Sequence, residues 1–275
     1  MFELDDLKIY RGNDIQITPK IIVTQPTIGQ IEEFGEKRYF NAVYTLTAVG
    51  ADLKWQLWDM EQIDYTQIED YDLFITFISK AVSSQRPLYD ELMSNEEKYK
   101  EELAMIPQDR LEMMCINPLQ LILKDIDLAD FIPCKNTENG QIVLYNAERD
   151  ITIDRMIYSQ IVDAVRKIHG LKRNNETPAN ETTKMILIDD AREEAKAASQ
   201  KPYKSTLKPL VSALTVKCGL CGTDKVWDMK INAFFDSIKR INKIQDSELL
   251  LQGAYSGFAS LKGVDKNRLD WTGDI

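Results

Sequence analysis

The stretch from Thr223 to Gly257, TDKVWDMKINAFFDSIKRINKIQDSELLLQGAYSG, most constrains the fold. Val226, Trp227, Ile231, Phe234, Phe235, Ile238, Ile241 and Ile244 recur at helical spacing on one broad face, with Lys230, Asp236, Lys239, Arg240 and Lys243 on the rest. A helix so apolar on one side needs that side covered by tertiary packing. The stretch is therefore expected to be the pillar of the C-terminal half, capped by Thr223 or Asp224 and ended by Gly253, with Met229 or Asp246 as candidate break points. Nothing in it carries a catalytic signature.

The chain before it changes texture several times. Leu7–Tyr10, Ile15–Ile17 and Lys20–Val23 read as short strands around the turn Arg11-Gly12-Asn13-Asp14. Thr27 then caps a helix with Ile28, Ile31 and Phe34 on one face, ending or bending at Gly35, and a longer helix follows over about 36–47. Residues 51–60 give a third helix, with Leu53, Leu57 and Met60 inward and Trp55 and Trp58 beside them. Asp70 caps a further one, burying Leu73, Phe74, Phe77, Ile78 and Ala81. Charge-rich residues 89–110 are expected to be a solvated helix or a mobile excursion. The apolar runs LEMMCI and LQLILK straddle Asn117-Pro118 and read as two strands of a covered sheet, with 141–145 as another strand. A helix opened by Asp150 or Thr152 runs to His169 and Gly170, where a charged imidazole would complement the helix dipole.

The polar run Lys172–Glu181, KRNNETPANE, is the clearest linker. It divides the chain into a mixed, acidic domain over 1–170, a linker over 171–181 and a helical domain with a basic patch over 182–275. The expected class is α+β and mainly helical, with small N-terminal and central strand elements before a helical C-terminal half. The helix after Thr182 or Thr183 ends in an alanine-, glutamate- and lysine-rich segment with little apolar surface, suited to lie exposed or to dock on a partner. Trp271 and Leu269 are expected to pin the tail.

With 275 residues, 44% of them hydrophobic, the chain can bury a substantial core. A net charge of −10 argues for solubility and against non-specific binding to DNA or anionic membranes. No apolar run approaches the roughly 20 residues of a membrane span. The acidic start MFELDDLKIY is unlike a signal peptide, so a cytosolic protein is expected.

Catalytic and metal chemistry find little support. Cys218-Gly-Leu-Cys221 has the spacing of half a zinc site, but no second pair or nearby histidine completes it, and it reads as an interhelical turn of reduced thiols. Cys115 and Cys134 are the only further thiols, and His169 is the only histidine. Without a positioned base, activated-nucleophile chemistry is unsupported, and no dinucleotide, phosphate-loop or zinc-protease motif appears. The acids Glu61, Asp64, Glu69, Asp70 and Asp72 lack a basic neighbour in sequence and read as a helix cap with a solvated rim. Among residues 201–243 the charge reverses, with nine lysines and arginines against Asp224, Asp228 and Asp236. Such a face meets nucleic acid, the acidic half of the chain or another protein; no recognition motif favours nucleic acid.

Two sets of motifs resemble a known family. The first comprises Gln25-Pro26-Thr27-Ile28-Gly29-Gln30-Ile31, Phe34-Gly35-Glu36, Tyr39, Ile63-Asp64-Tyr65 and Asp72-Leu73-Phe74. The second comprises Val226-Trp227-Asp228-Met229, Phe234 to Ile241, Leu250-Leu251-Gln252-Gly253, Tyr255-Ser256-Gly257 and the closing LDWTGDI. Together they resemble the tail assembly chaperones of long-tailed phages and prophages of Gram-positive bacteria, leaving residues 85–222 mostly outside the likeness. The resemblance implies a non-enzymatic protein, without cofactor, in the host bacterial cytoplasm. It would hold the tape-measure protein soluble until tail-tube subunits polymerise around it. Tail tube protein, a frameshifted longer form of the chain and a second copy of it are further implied partners. A subunit of the tail or baseplate, or a phage protein acting on host nucleic acid or a defence component, are the alternatives. An aromatic-lined helical surface suits an amphipathic client. The expected partner-binding residues are Trp227, Lys230, Phe234, Phe235, Lys239, Arg240 and Lys243, with Trp55 and Trp58.

Overall fold

The computed structural model describes residues 4–137, 140–217, 224–258 and 260–273. It is a mainly helical α+β structure, 57% helical, with two small antiparallel sheets.

The first segment departs from expectation: 7–10 is not a strand but part of α1 (Asp6–Tyr10). Asp5 decides this, because its carboxylate accepts the backbone N–H of Lys8 at 3.1 Å and caps the first turn. A hairpin then forms from β1 (Ile15–Thr18) and β2 (Ile21–Val23), as expected. The open edge of β2 is covered by residues 122–124, through Thr24 N–H to Ile122 O and Lys124 N–H to Ile22 O. α2 (Ile28–Phe34) begins with a capping box in which Thr27 and Gln30 satisfy each other's backbone N–H. Gly35, at φ +102°, turns the chain directly into α3 (Glu36–Thr47).

A single 3₁₀ turn over Gly50–Asp52 leads into α4 (Lys54–Glu61). Leu57 is buried there and Leu53 partly so, whereas Met60, expected inward, is 71% exposed. The next apolar segment is α5 (Asp70–Leu73), a π-helical stretch Phe74–Ile78 and α6 (Ser79–Ala81). Leu73, Phe74 and Ile78 enter the core, Phe77 only packs against it and Ala81 is exposed. Its N-cap is Glu69, not Asp70.

The charge-rich region forms α7 (Arg86–Ser94), α8 (Lys100–Met105) and α9 (Gln108–Met114), with Leu92 and Met114 its buried side chains. The two strands expected over 111–124 do not form. Residues 111–114 end α9, and 118–123 fold into a compact turn with Leu119, Ile122 and Leu123 buried. Asn117 organises that turn, accepting Leu119 N–H and donating to Ile126 O. The apolar run thus reflects burial on every side, a state periodicity does not separate from a covered strand.

The second sheet has the order β3 (Ile132–Lys135), β4 (Ile142–Asn146), β5 (Ile151–Ile153), antiparallel throughout. Residues 151–153, expected to open a helix, are its last strand. The helix cap is Asp154, which accepts Ile157 N–H ahead of α10 (Arg155–His169). This helix is the central pillar of the core. Tyr158, Ile161, Val162, Val165 and Ile168 are all buried along it, and it packs against α3, α5, both hairpin strands and β5.

His169 is not a charged cap. It is buried, its Nδ1 lies 2.7 Å from Val165 O and its Nε2 2.7 Å from the Tyr39 hydroxyl. Burial lowers its pKa from 6.5 to about 4, with the Val165 bond acting weakly in the other direction. The ring is therefore neutral near pH 7.

Residues after α10 are tied down by polar side chains. Arg173 makes a bidentate contact with Asp70, Asn174 donates to Asp52, and Lys54 pairs with Glu176. Asn180 caps α11 (Glu181–Ser199) by accepting Thr183 N–H. α11 docks on α4 with little apolar burial: Ile188 is its one buried hydrophobic residue among those described. Charge takes over that role. Buried Lys184 bridges Asp64 and Glu181, each at 2.7 Å, and Arg192 bridges Asp59 and Asp189. The acids expected to form a solvated rim are thus mostly paired with bases distant in sequence, Asp64 with Lys184, Asp70 with Arg173, and Glu69 and Asp72 with Arg155. Exposed ion pairs weaken with salt. Raising NaCl is expected to speed amide exchange in α11, read by mass spectrometry, while α10 amides stay protected.

The C-terminal helices are α12 (Leu207–Lys217), α13 (Asp224–Trp227) and α14 (Ile231–Tyr255). The expected break near Met229 is present, and its cause is tertiary. Ile28 N–H donates to Met229 O and Ile231 N–H to Pro26 O, both at 3.0 Å, around a bridge between Thr27 and Lys230. The QPTIGQ and VWDM motifs thus meet in space. Leu207, Val211, Leu214, Val226, Ile231 and Phe234 belong to the same apolar cluster as Tyr39, Leu46 and Val165. α14 runs past Gly253 to Tyr255. The tail returns along it through backbone carbonyls: Arg240 donates to Trp271 O and Gly273 O, and Ser247 to Leu269 O. Trp271, expected with Leu269 to pin the tail, is 53% exposed, and both residues are held through their carbonyls.

Candidate partner-binding groove

An open apolar groove of about 430 Å³ lies where α2 and α3 meet α12 and α13. Val211, Thr215 and Val216 of α12 line it with Trp227 of α13, and Glu32 and Lys208 stand among its lining residues. Several local features build it. Gly29 allows α13 to lie close on α2, since a Cβ there would be 3.3 Å from the Trp227 carbonyl oxygen. Glu36, placed by the turn at Gly35, caps α12 from a different part of the chain. One of its carboxylate oxygens accepts Thr206 N–H and hydroxyl at 2.7 Å and Leu207 N–H at 2.9 Å. Burial raises the pKa of this carboxyl, but hydrogen bonds from Ser205, Thr206 and Leu207 outweigh it and hold the group below its ordinary value. An anion held ionised at a helix N-terminus also complements the helix dipole. Within α12, Leu207, Val211 and Leu214 point to the core, whereas Val216 is 80% exposed.

The residues expected to bind a partner do not form one surface. Trp227 lines the groove and is partly buried. Phe234 is a correction: it is wholly buried and is core. Phe235 is partly buried, its ring 5.6 Å from that of Phe234 and 6.3 Å from that of Phe40. Lys230 is also turned inward, donating to Gln25 O at 2.7 Å with its stem packed over Gly12. Arg240 is spent on the tail carbonyls, and Lys243 lies near the tail at Gly273. Lys239 is exposed, its ammonium beside Gly170. Trp55 and Trp58 sit on α4, partly buried against the core. Lys208, Val211 and Val216 were missed; the available signal was α12 itself, apolar on more than one face within an acid-free run from Lys201 to Lys217.

Cys218 and Cys221 lie outside the described residues. Among the described residues, no group of three or more His, Cys, Asp or Glu is placed to hold a metal ion. Cys115 is exposed and Cys134 partly buried.

Residues 198–275 match the family model described as YomV second domain. That family name is phage-associated. The matched region begins at the last turn of α11 and includes α12, α13 and α14, hence one wall of the groove; α2 and α3, the other wall, lie outside it. Neither a curated protein nor a solved structure matches the chain.

Proposed function

We propose that this chain is a non-enzymatic tail-assembly protein of a bacteriophage, a chaperone that holds the tape-measure protein in the host cytoplasm before the tail tube polymerises. The observation carrying this reading is the apolar groove, one wall of which, with Trp227, lies inside the phage-associated match. A long helical client presents apolar stripes that must be shielded from water until tube subunits cover them, and a helix-in-groove contact does this. The resemblance of the QPTIGQ and VWDM motifs to tail assembly chaperones supports the same role. The lone histidine, neutral and hydrogen-bonded at both nitrogens, is consumed by the core, which supports a binding role over a catalytic one. No described helix is long and apolar enough to cross a membrane.

The test is affinity purification of the tagged chain from phage-producing cells, with mass spectrometry of the captured proteins and of finished particles. Capture of the tape-measure protein, with the bait missing from mature tails, is the expected result. Bait retained in finished tails would instead make it a tail or baseplate subunit. Recovery of only host proteins or nucleic acid would remove the tail-assembly reading.

A further inference from the structure

We infer that the outer edge of β1 docks an extended segment of a partner protein as an added strand, with apolar side chains at every second position. The site is separate from the groove on α12 and stands or falls independently of the chaperone reading.

Two observations meet at this edge. The first is that its backbone is open. β1 pairs with β2 alone, whereas the far edge of β2 is covered by residues 122–124. Among the described residues, no backbone hydrogen bond outside the β1–β2 pairing uses Ile15, Gln16 or Ile17. A register shift between Gln16 and Thr18 also leaves Ile17 without a partner on β2. The other sheet guards its outer strand: β3 carries Pro133, which has no N–H to offer, and Lys135. β1, with the sequence Ile-Gln-Ile-Thr, has neither proline nor charge.

The second observation is a cleft of about 690 Å³ beside that edge, with β1 as one wall and α1 as the other. Met156, Ile157 and Gln160 of α10 line it too. Ile157 is partly buried and Met156 is 63% exposed. The walls are pinned without any partner. Asp6 of α1 pairs with Lys167, near the C-terminus of α10, at 2.8 Å. The Gln25 side chain donates to Ile9 O and Asn13 O, fixing the end of α1 and the turn that leads into β1. A site held ready in this way costs little ordering on binding.

Edge and cleft together select the occupant. A row of unpaired backbone N–H and C=O groups is matched by another extended backbone running alongside it. A helix satisfies its own backbone groups and would leave the edge unpaired. Side chains of an added strand alternate, so every second one faces α10 and meets Met156 and Ile157, which favours apolar residues there. A second copy of this chain is a poor fit. Its β1 edge is faced by its own α1, so pairing β1 with β1 would push both α1 helices aside and break both Asp6–Lys167 pairs.

The experiment uses the full chain and a panel of labelled hexapeptides with valine, isoleucine, leucine or phenylalanine at alternate positions and threonine between them. Fluorescence anisotropy reads binding, and hydrogen exchange followed by NMR reads the β1 amides. At least one peptide is expected to bind with a Kd below about 1 mM. Saturation with it should slow exchange within residues 15–17 by about tenfold or more and leave residues 122–124 unchanged. Two further peptides carry N-methyl groups at the odd or at the even backbone nitrogens. One should lose about tenfold or more in affinity and the other should keep it, because only one set of N–H groups faces β1. Met156→Asp should weaken binding by a factor of about ten. Met156 is exposed in the first turn of α10, where an acid suits the helix dipole, so circular dichroism should show this variant folded. No binding by any peptide, the same response to both methylation patterns, unchanged exchange across 15–17, or full affinity in Met156→Asp would each overturn the inference. Protection of 15–17 that grows with protein concentration in the absence of peptide would put a second copy on the edge and overturn it as well.

Discussion

Phe234→Ala is expected to lower the unfolding free energy by about 3–5 kcal/mol. The ring is wholly buried on the first turn of α14, where that helix meets α10 and α1. It packs edge-on against Phe235. Truncation would remove the transfer free energy of a buried aromatic side chain and leave a cavity that two backbone bonds to residues 26–28 help keep from collapsing. Urea titration followed by circular dichroism should show a lower midpoint at an unchanged slope. Val216→Asp, on the exposed side of α12, should change the unfolding free energy by no more than about 0.5 kcal/mol. If Phe234→Ala instead left stability intact while abolishing client capture, Phe234 would be a surface anchor and the packing of α14 described above would be wrong.

Acidification should be nearly as costly. His169 has a folded pKa of about 4 against an ordinary 6.5, because burial penalises the imidazolium. Above 6.5 neither state binds the proton and the full stability is present. As pH falls from 6.5 towards 4 the unfolded chain takes up a proton that the folded chain refuses, so stability is lost. The difference between those values corresponds to about 3 kcal/mol. Burial also pushes the Tyr39 phenol up, so its hydroxyl stays protonated and donates to Nε2, leaving Nδ1–H for Val165 O. Paired carboxylates such as Asp64, held below their ordinary value, lose their contribution only at lower pH, which keeps the two windows apart. Urea midpoints of wild type and His169→Asn, compared near pH 7 and near pH 4.5, check this. The wild type should lose stability between them and the variant should lose much less; equal slopes with pH would contradict the neutral buried ring.

The sequence carried the local parts of the fold well. Thr27 with Gln30, the bounds of α3, the hairpin and β4 follow from caps, turns and short periodicities written in adjacent residues. Errors arose where a single polar side chain outweighed a pattern. Asp5 turned an apparent strand into α1, and Asn117 folded an apparent strand pair into a buried turn. The break at Met229 was visible, but not its reason, which is a bridge to Thr27 from the far end of the chain.

The site was less legible because availability is a tertiary property. Phe234 and Lys230 look like partner-binding residues on a helical wheel, yet one is core and the other serves Gln25. The acids at 64, 69, 70 and 72 lack bases nearby in sequence, yet all meet them in space. Trp227 entered the expected set because it is aromatic and belongs to a motif, and it lines the groove; Val216 is an ordinary valine until α12 turns it outward.

The most direct measurement is capture of the tape-measure protein from phage-producing cells by the wild-type chain, by Val216→Asp and by Lys239→Glu, with stability checked in parallel. The groove on α12 as client site requires full capture by wild type and Lys239→Glu and loss of capture by folded Val216→Asp. Undiminished capture by Val216→Asp, or loss confined to Lys239→Glu, would place the client elsewhere and contradict it.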